Sequence, residues 1–157
     1  MLVTDYGRLL LDALPTRGRL SSRGMEIPSI MCPVCGVASE NRLHILCRCD
    51  LAVNVWEGVV RWLQIPDFGD VDLPGIFAWV DGSRWRGNQK KALEVVICAV
   101  LWFIWRYRND VLHDTGKLKK SNILDCIKEF SFVWFRYRQT KVLVSWSDWF
   151  QHPLNVL

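Results

Sequence analysis

Apolar residues recur at helical spacing in three stretches of this chain, over about 51–64, 88–113 and 121–144. Recurrence every three or four residues predicts a helix in each stretch, and Asp50 is a suitable N-cap for the first. The middle stretch is apolar on every side from Ala92 to Trp105, which is typical of a helix buried on several faces. That run contains Glu94 and is shorter than the about 20 apolar residues of a membrane span, so it predicts a core helix and no membrane contact.

The three predicted helices each offer large apolar side chains for a shared core, namely Trp56, Leu93, Trp102, Trp105, Ile127, Phe130 and Trp134. On the third helix the spacing predicts one apolar face, which only Lys141 interrupts: Ile123, Ile127, Phe130, Trp134 and Tyr137. The aromatic tail before Pro153 is expected to dock back onto the helices. Leu9 to Leu14 predict a short apolar helix, and the last residues before 31 are expected to be extended.

Proline, glycine and aspartate interrupt the pattern between the first two long helices. We therefore expect 65–87 to form an acidic loop with one short turn near Ile76–Val80. The pattern therefore predicts a mainly α fold.

The most informative motif lies before the first long helix and has the order C-x2-C, then H-x4-C: Cys32, Cys35, His44 and Cys49. A two-residue gap lets one tight turn aim both sulfurs at a single point, and the second pair supplies ligands from the opposite arm. Three thiolates and one imidazole around Zn²⁺ form a closed structural site with about one net negative charge. Arg42 and Arg48 lie nearby in sequence and are expected to offset that charge. The predicted fold is thus mainly α, with a small zinc-knuckle module followed by a three-helix packed region. Its predicted domains are 1–64 for the zinc-binding module, 65–87 for the acidic loop and 88–157 for the C-terminal helical region.

Other interpretations of these cysteines stay open on spacing alone. Cys47 offers H-x2-C with His44 and could replace Cys49 as the fourth ligand. A Cys32–Cys35 disulfide would suit a small secreted protein, but no charged-then-apolar signal segment opens the chain. A redox C-x-x-C motif needs a strand before it and a helix after it, and the pattern predicts neither. Cys98 and Cys126 lie within apolar runs and are expected to be buried small hydrophobes.

Composition and charge place the chain among compact proteins that could bind nucleic acid. It has 157 residues, of which 50% are hydrophobic and nine are tryptophan, and this excludes a disordered chain. Its net charge is +4, yet residues 84–120 alone hold nine Lys or Arg against three acids. A local excess of cations suits a phosphate backbone, although it is equally common on ordinary surfaces. The candidate nucleic-acid-binding residues are Arg42, Arg48, Arg84, Arg86, Lys90 and Lys91.

The sequence gives no support for catalysis. None of the three histidines has a serine or cysteine partner in a recognisable nucleophile motif, and the chain has no glycine-rich phosphate loop. We therefore expect no enzyme activity. The aromatic clusters around Trp102–Trp105 and Trp134–Phe135 could stack bases, but at helical spacing among aliphatic residues they are more often core.

A family resemblance extends over most of the chain. Its elements are Leu14-Pro15-Thr16-Arg17, Arg23-Gly24-Met25, Cys32-Pro33-Val34-Cys35-Gly36, Glu40, His44, Cys49 and Val55-Trp56. This order resembles the zinc-binding domain of plant non-LTR (LINE-type) retrotransposon reverse transcriptases, and Trp102 to Asp110 is similar to the family's W-x-[IL]-W-x-x-R-N segment. By position, the resemblance implies Cys32, Cys35, His44 and Cys49 as ligands and demotes Cys47.

The resemblance also implies a function. It predicts a zinc-binding, intracellular accessory domain, nuclear or cytoplasmic, that binds RNA or single-stranded DNA beside a polymerase domain encoded elsewhere. Met1–Arg8 do not match the family's usual entry, so the chain resembles an N-terminally incomplete piece, and the polymerase Tyr-x-Asp-Asp motif is absent from it. The alternatives are a zinc-stapled helical module that contacts protein and a retroelement relic without a function.

Overall fold

The computed structural model describes residues 13–70 and 72–157, and these are mainly helical. The helices are α1 (Arg17–Ser22), α2 (Asp50–Leu63), α3 (Leu73–Gly82), α4 (Gly87–Leu112), α5 (Ile123–Arg138) and α6 (Trp146–Gln151). A π-helical turn (His44–Arg48) leads into α2, and a 3-10 turn (Lys120–Asn122) leads into α5. The predicted fold class, mainly α with a cysteine and histidine cluster near the N-terminus, is confirmed.

Helix α4 forms the centre of the molecule. Its buried positions lie on several sides, as the pattern predicts, and include Leu93, Val96, Val100, Leu101 and Ile104. Helix α5 packs antiparallel to α4: Lys91 contacts Gln139 near one end, while the rings of Phe103 and Phe130 lie 5.7 Å apart farther along. Helix α2 approaches α5 closely at Gly58, where an added Cβ would lie 3.3 Å from the Leu124 side chain.

The bounds of α2 and α4 agree with the sequence to within one residue, but the region between them differs from the expectation. The segment 65–87 was expected to be a loop with one short turn, and α3 occupies ten of its residues. The Asp72 side chain accepts a hydrogen bond from the Gly75 amide at 2.9 Å, which caps the helix. Pro74 lies in the first turn, where no helical partner is needed for its missing N–H. Leu73, Ile76 and Val80 then bury one face.

Helix α5 ends earlier than expected, and it turns a different face toward the core from the one that the sequence predicts. It stops at Arg138, not near residue 144, because the chain turns at Gln139 and carries Val144 back into the core. Its buried stripe is Ile123, Ile127, Ser131 and Phe135. Phe130 and Trp134 are only partly buried, and Tyr137, which was expected on the apolar face, is 82% exposed.

The aromatic tail docks back onto the helices, as predicted, and its packing explains which face of α5 is buried. Trp149 of α6 is fully buried and packs against Phe135 with ring centroids 5.0 Å apart. Its indole N–H donates to the Ser131 hydroxyl at 3.3 Å, so the small polar residue on α5 accommodates the large ring. The predicted Leu9–Leu14 helix lies largely outside the described residues.

Candidate metal centre

The first pair of candidate ligands lies in a small hairpin. Met31 and Ser39 form an antiparallel bridge, and the Cys32 amide donates to the Ala38 carbonyl at 2.7 Å. Inside the hairpin the Gly36 amide donates to the Cys32 carbonyl at 2.8 Å, and Gly36 has φ +69°, which glycine adopts without strain. The closed turn therefore directs the Cys32 and Cys35 side chains toward one point.

The second pair lies at the two ends of the π-helical turn. The Asn41 side chain accepts from the His44 amide at 2.8 Å and starts the turn, and the Cys49 amide donates to the His44 carbonyl at 2.6 Å. This bond joins residues five apart, so His44 and Cys49 lie on the same side of the turn. Cys47 falls on a different side and lines a surface pocket of about 420 Å³ together with Trp56 and Phe68.

The four donor atoms converge. The ligand atoms of Cys32, Cys35, His44 and Cys49 all lie within 4.8 Å of one another. Two of the separations are 4.0 Å, from Cys32 Sγ to Cys49 Sγ, and 3.3 Å, from Cys35 Sγ to His44 Nε2. A tetrahedron with metal–sulfur bonds of about 2.3 Å has sulfur–sulfur edges of about 3.8 Å, so the cluster has the size of a single metal site. All six cysteines are free thiols, and no disulfide joins Cys32 to Cys35.

The surroundings of the three candidate thiols shift their pKa values in opposite directions. Burial alone would raise the pKa of Cys35. The amides of Val37 and Ala38 and the His44 ring outweigh this effect and lower the pKa to about 6. Burial raises the pKa of Cys32, and burial together with the neighbouring Cys32 and Cys35 thiols raises the pKa of Cys49 to about 12. Neutral ligands at the buried end would deprotonate when a cation binds, since a metal stabilises the thiolate form.

A buried ion pair fixes the loop between the two ligand pairs. Glu40 and Arg108 are 0% and 3% exposed, and the guanidinium donates twice to the carboxylate, at 2.5 Å and 2.7 Å. The Arg17 amide at the start of α1 donates to the same carboxylate at 2.6 Å. Glu40 thus joins the ligand loop to α1 and to the C-terminal part of α4. The sequence pattern did not reveal this pair, because Arg108 was counted among the cations of 84–120 and Glu40 was only a letter of the family motif. An arginine within an apolar helix pattern was the available signal for a buried pair.

The predicted nucleic-acid-binding residues fall into two separate groups. Arg42 and Arg48 flank the ligands, and exposed Arg48 pairs with exposed Asp70 at 3.2 Å. Arg84, Arg86, Lys90 and Lys91 lie at the N-terminal end of α4. Within the 84–120 cations, Lys90 and Arg106 are 16 positions apart on α4, so the helix rise separates these two residues by about 24 Å. The metal centre lies at the Arg108 end, far from Lys90.

Comparison with known proteins supports the class of this site. Residues 6–56 match the model of a family described as zinc-binding in reverse transcriptase. The match confirms the resemblance to reverse-transcriptase zinc-binding domains, while the plant and LINE-type origin stays a prediction. Searches of curated proteins and of solved structures give no significant match.

The structure also bears on membrane contact. Within residues 13–70 and 72–157, no helix is long and apolar enough to cross a membrane.

Proposed function

We propose that Cys32, Cys35, His44 and Cys49 hold one Zn²⁺ ion in a closed structural centre. The observation that carries the proposal is the convergence of three thiols and one imidazole within 4.8 Å, inside the segment that matches the reverse-transcriptase zinc-binding family. Four protein ligands leave no coordination position for water, so such a centre stabilises a fold and does not hydrolyse a substrate.

We further propose that this centre supports an intracellular accessory domain, derived from a retrotransposon reverse transcriptase, that binds RNA or single-stranded DNA. The polymerase carboxylates would reside in a domain encoded elsewhere, and the present chain would have no catalysis of its own. Support comes from the family match and from the cations at the N-terminal end of α4, among which Arg84, Arg86 and Lys91 are exposed. Cations in such an arrangement can contact successive phosphates.

Metal content tests the zinc centre. We expect about one zinc per chain in the purified protein, and Cys49→Ser should lower that content sharply because it removes one of four ligands. Cys47→Ser is the matched control, since it removes a thiol two positions away that faces a different pocket. The measurement is zinc per protein by atomic emission. If Cys47→Ser and not Cys49→Ser lowered the zinc content, the proposed ligand set would be wrong.

Salt-dependent retention of oligonucleotides tests the nucleic-acid proposal. Each lost phosphate contact should reduce the slope of log affinity against log salt by about 0.7 for a single strand. The triple variant Arg84→Ala, Arg86→Ala, Lys91→Ala should therefore flatten the slope by about 2. The triple variant Lys117→Ala, Lys119→Ala, Lys120→Ala removes the same charge near the other end of α4 and should leave the slope unchanged. Absence of retention by the zinc-loaded chain at low salt would end the proposal, and a protein-contact module would then be favoured.

A further inference from the structure

Helices α5 and α6 present large aromatic side chains to solvent. The α5–α6 face, as we name it, consists of Lys128, Phe132, Arg136, Tyr137, Trp146 and Phe150. Tyr137 belongs to it because it lines one shallow surface depression together with Phe132 and Arg136. Tyr137 is 82% exposed, and Trp146 and Phe150 are each 41% exposed. On α5 the buried stripe that packs against Trp149 leaves Tyr137 outside the core. On α6 Trp149 is the buried residue, and Trp146 and Phe150 on either side of it in sequence stay exposed.

The rings and cations of this face are interleaved. Phe132 and Trp146 have ring centroids 5.2 Å apart, and Trp146 and Phe150 have centroids 5.5 Å apart, so the three rings form one continuous cluster. The Lys128 ammonium lies 4.2 Å from the Phe150 centroid, and the Arg136 guanidinium lies 5.8 Å from that of Phe132. Such cation–π contacts hold the cations beside the exposed rings.

The charge of the face indicates the kind of partner. Its two charged members are both cations, and Arg138, one residue beyond Tyr137, lies over the Trp134 ring at 4.6 Å. The acids of α5 and α6 are three. Asp148 accepts from the Ser145 hydroxyl at 2.6 Å, Glu129 lines a different pocket with Phe103 and Arg106, and Asp125 lies in the first turn of α5, seven positions before Phe132. Two copies of this face placed together would bring like charges together, so a partner with negative charge and flat apolar surfaces fits better.

We propose that the α5–α6 face stacks the unpaired bases of a single-stranded nucleic acid. This inference rests on the proposed function but places base contacts outside the segment that matches the zinc-binding family. The face also continues from the proposed phosphate-binding cations, because Lys91 Nζ lies 3.2 Å from Gln139 Oε1, two residues beyond Tyr137. A strand held by phosphates at the N-terminal end of α4 can therefore lay its bases on the adjacent rings, and stacking tolerates any base sequence.

Fluorescence anisotropy with two matched probes tests the inference on the zinc-loaded full chain. The first probe is an oligothymidylate of about 15 nucleotides, a length that suits single-strand sites, and the second is an abasic deoxyribose-phosphate strand of equal length. Tyr137→Ala and Trp146→Ala should each weaken oligothymidylate binding by about tenfold and leave binding of the abasic strand unchanged. Tyr137→Phe should retain binding because it keeps the ring. Leu143→Ala is the control, since it removes an apolar side chain that is 90% exposed but has no ring.

The outcomes separate this inference from the proposed function. One outcome is that the wild-type chain binds both probes, and that Tyr137→Ala and Trp146→Ala bind each probe with the wild-type affinity. In that case the stacking inference is wrong and the phosphate contacts stand. If the wild-type chain binds neither probe at low salt, both fail. Concentration-dependent dimerisation that Tyr137→Ala abolishes, without any effect on oligothymidylate, would assign the face to a second copy of the chain and overturn the inference.

Discussion

The thiols of this chain differ in acidity because their surroundings differ. Cys35 lies in a turn whose amides and His44 ring favour the thiolate, and its pKa is about 6. Burial raises the pKa of Cys47 and that of Cys98 to about 11 each. The thiolate is the reactive form, so these differences predict an order of alkylation.

Alkylation of the chelator-treated protein checks that order. A pH of about 7.5 is above the pKa of Cys35, which is then mostly thiolate, and below the pKa of Cys47, which is then mostly thiol. Iodoacetamide should therefore modify Cys35 first, and the rate should fall as the pH drops through about 6. Zinc should protect Cys35 and leave the slow labelling of Cys47 unchanged, as measured by peptide mass spectrometry. Equal labelling of both thiols before zinc addition would contradict the arrangement.

Residue spacing alone could not separate Cys47 from Cys49 as the fourth candidate ligand. The difference depends on the π-helical turn, in which the Cys49 amide reaches the His44 carbonyl five residues back. In an ordinary α-helical turn the carbonyl of His44 would bond to residue 48, and the side chains would take different directions. Insertions of this kind are rare and have no clear sequence signature, whereas the C-x2-C turn has one.

At the scale of elements, apolar periodicity predicted α2 and α4, whereas it misplaced the end and the buried face of α5, and the local start signal of α3 was missed. The bounds of α2 and α4 follow from their apolar patterns and agree to within one residue. Helix α3 was missed because Pro74 and Gly75 are typical of loops, although an aspartate cap followed by proline in the first turn is also a helix start.

The face of α5 could not be predicted from its own sequence. Both Ile123-Ile127-Phe130-Trp134 and Ile123-Ile127-Ser131-Phe135 are apolar stripes at acceptable helical spacing. Trp149 decides between them, because its buried indole needs a hydrogen-bond acceptor and finds the Ser131 hydroxyl and the Lys128 carbonyl. The same choice leaves Tyr137 exposed, so a tertiary contact determines which rings are available to a ligand.

At the scale of the whole molecule, the ligand loop and the central helix are joined by a contact between residues 68 positions apart. The Glu40–Arg108 pair is fully enclosed, and its carboxylate also accepts from the start of α1. Gly18 fits beside this loop only because it lacks a side chain, since a Cβ there would lie 2.6 Å from the Glu40 carbonyl oxygen. The segment that matches the zinc-binding family therefore packs against a helix beyond that match, and the two are expected to unfold together.

Removing the charge of Glu40 should destabilise this whole unit. Glu40→Gln leaves the Arg108 cation buried without a counter-charge, and losing one partner of a buried pair costs about 3–5 kcal/mol in the free energy of unfolding. Urea unfolding of the zinc-loaded chain, followed by helical circular dichroism, measures the change. Asp70→Asn is the matched control because it breaks the exposed Arg48–Asp70 pair, for which the expected cost is below about 1 kcal/mol.

A second variant separates the ion pair from general disruption of the loop. Arg108→Met together with Glu40→Leu replaces both charges by apolar groups, and should recover part of the stability that Glu40→Gln loses, because no buried charge is left unpaired. The Arg17 amide would still lose its acceptor in this double variant, so recovery should be incomplete. Equal unfolding midpoints for Glu40→Gln and Asp70→Asn would show that the buried pair does not hold the ligand loop against α4.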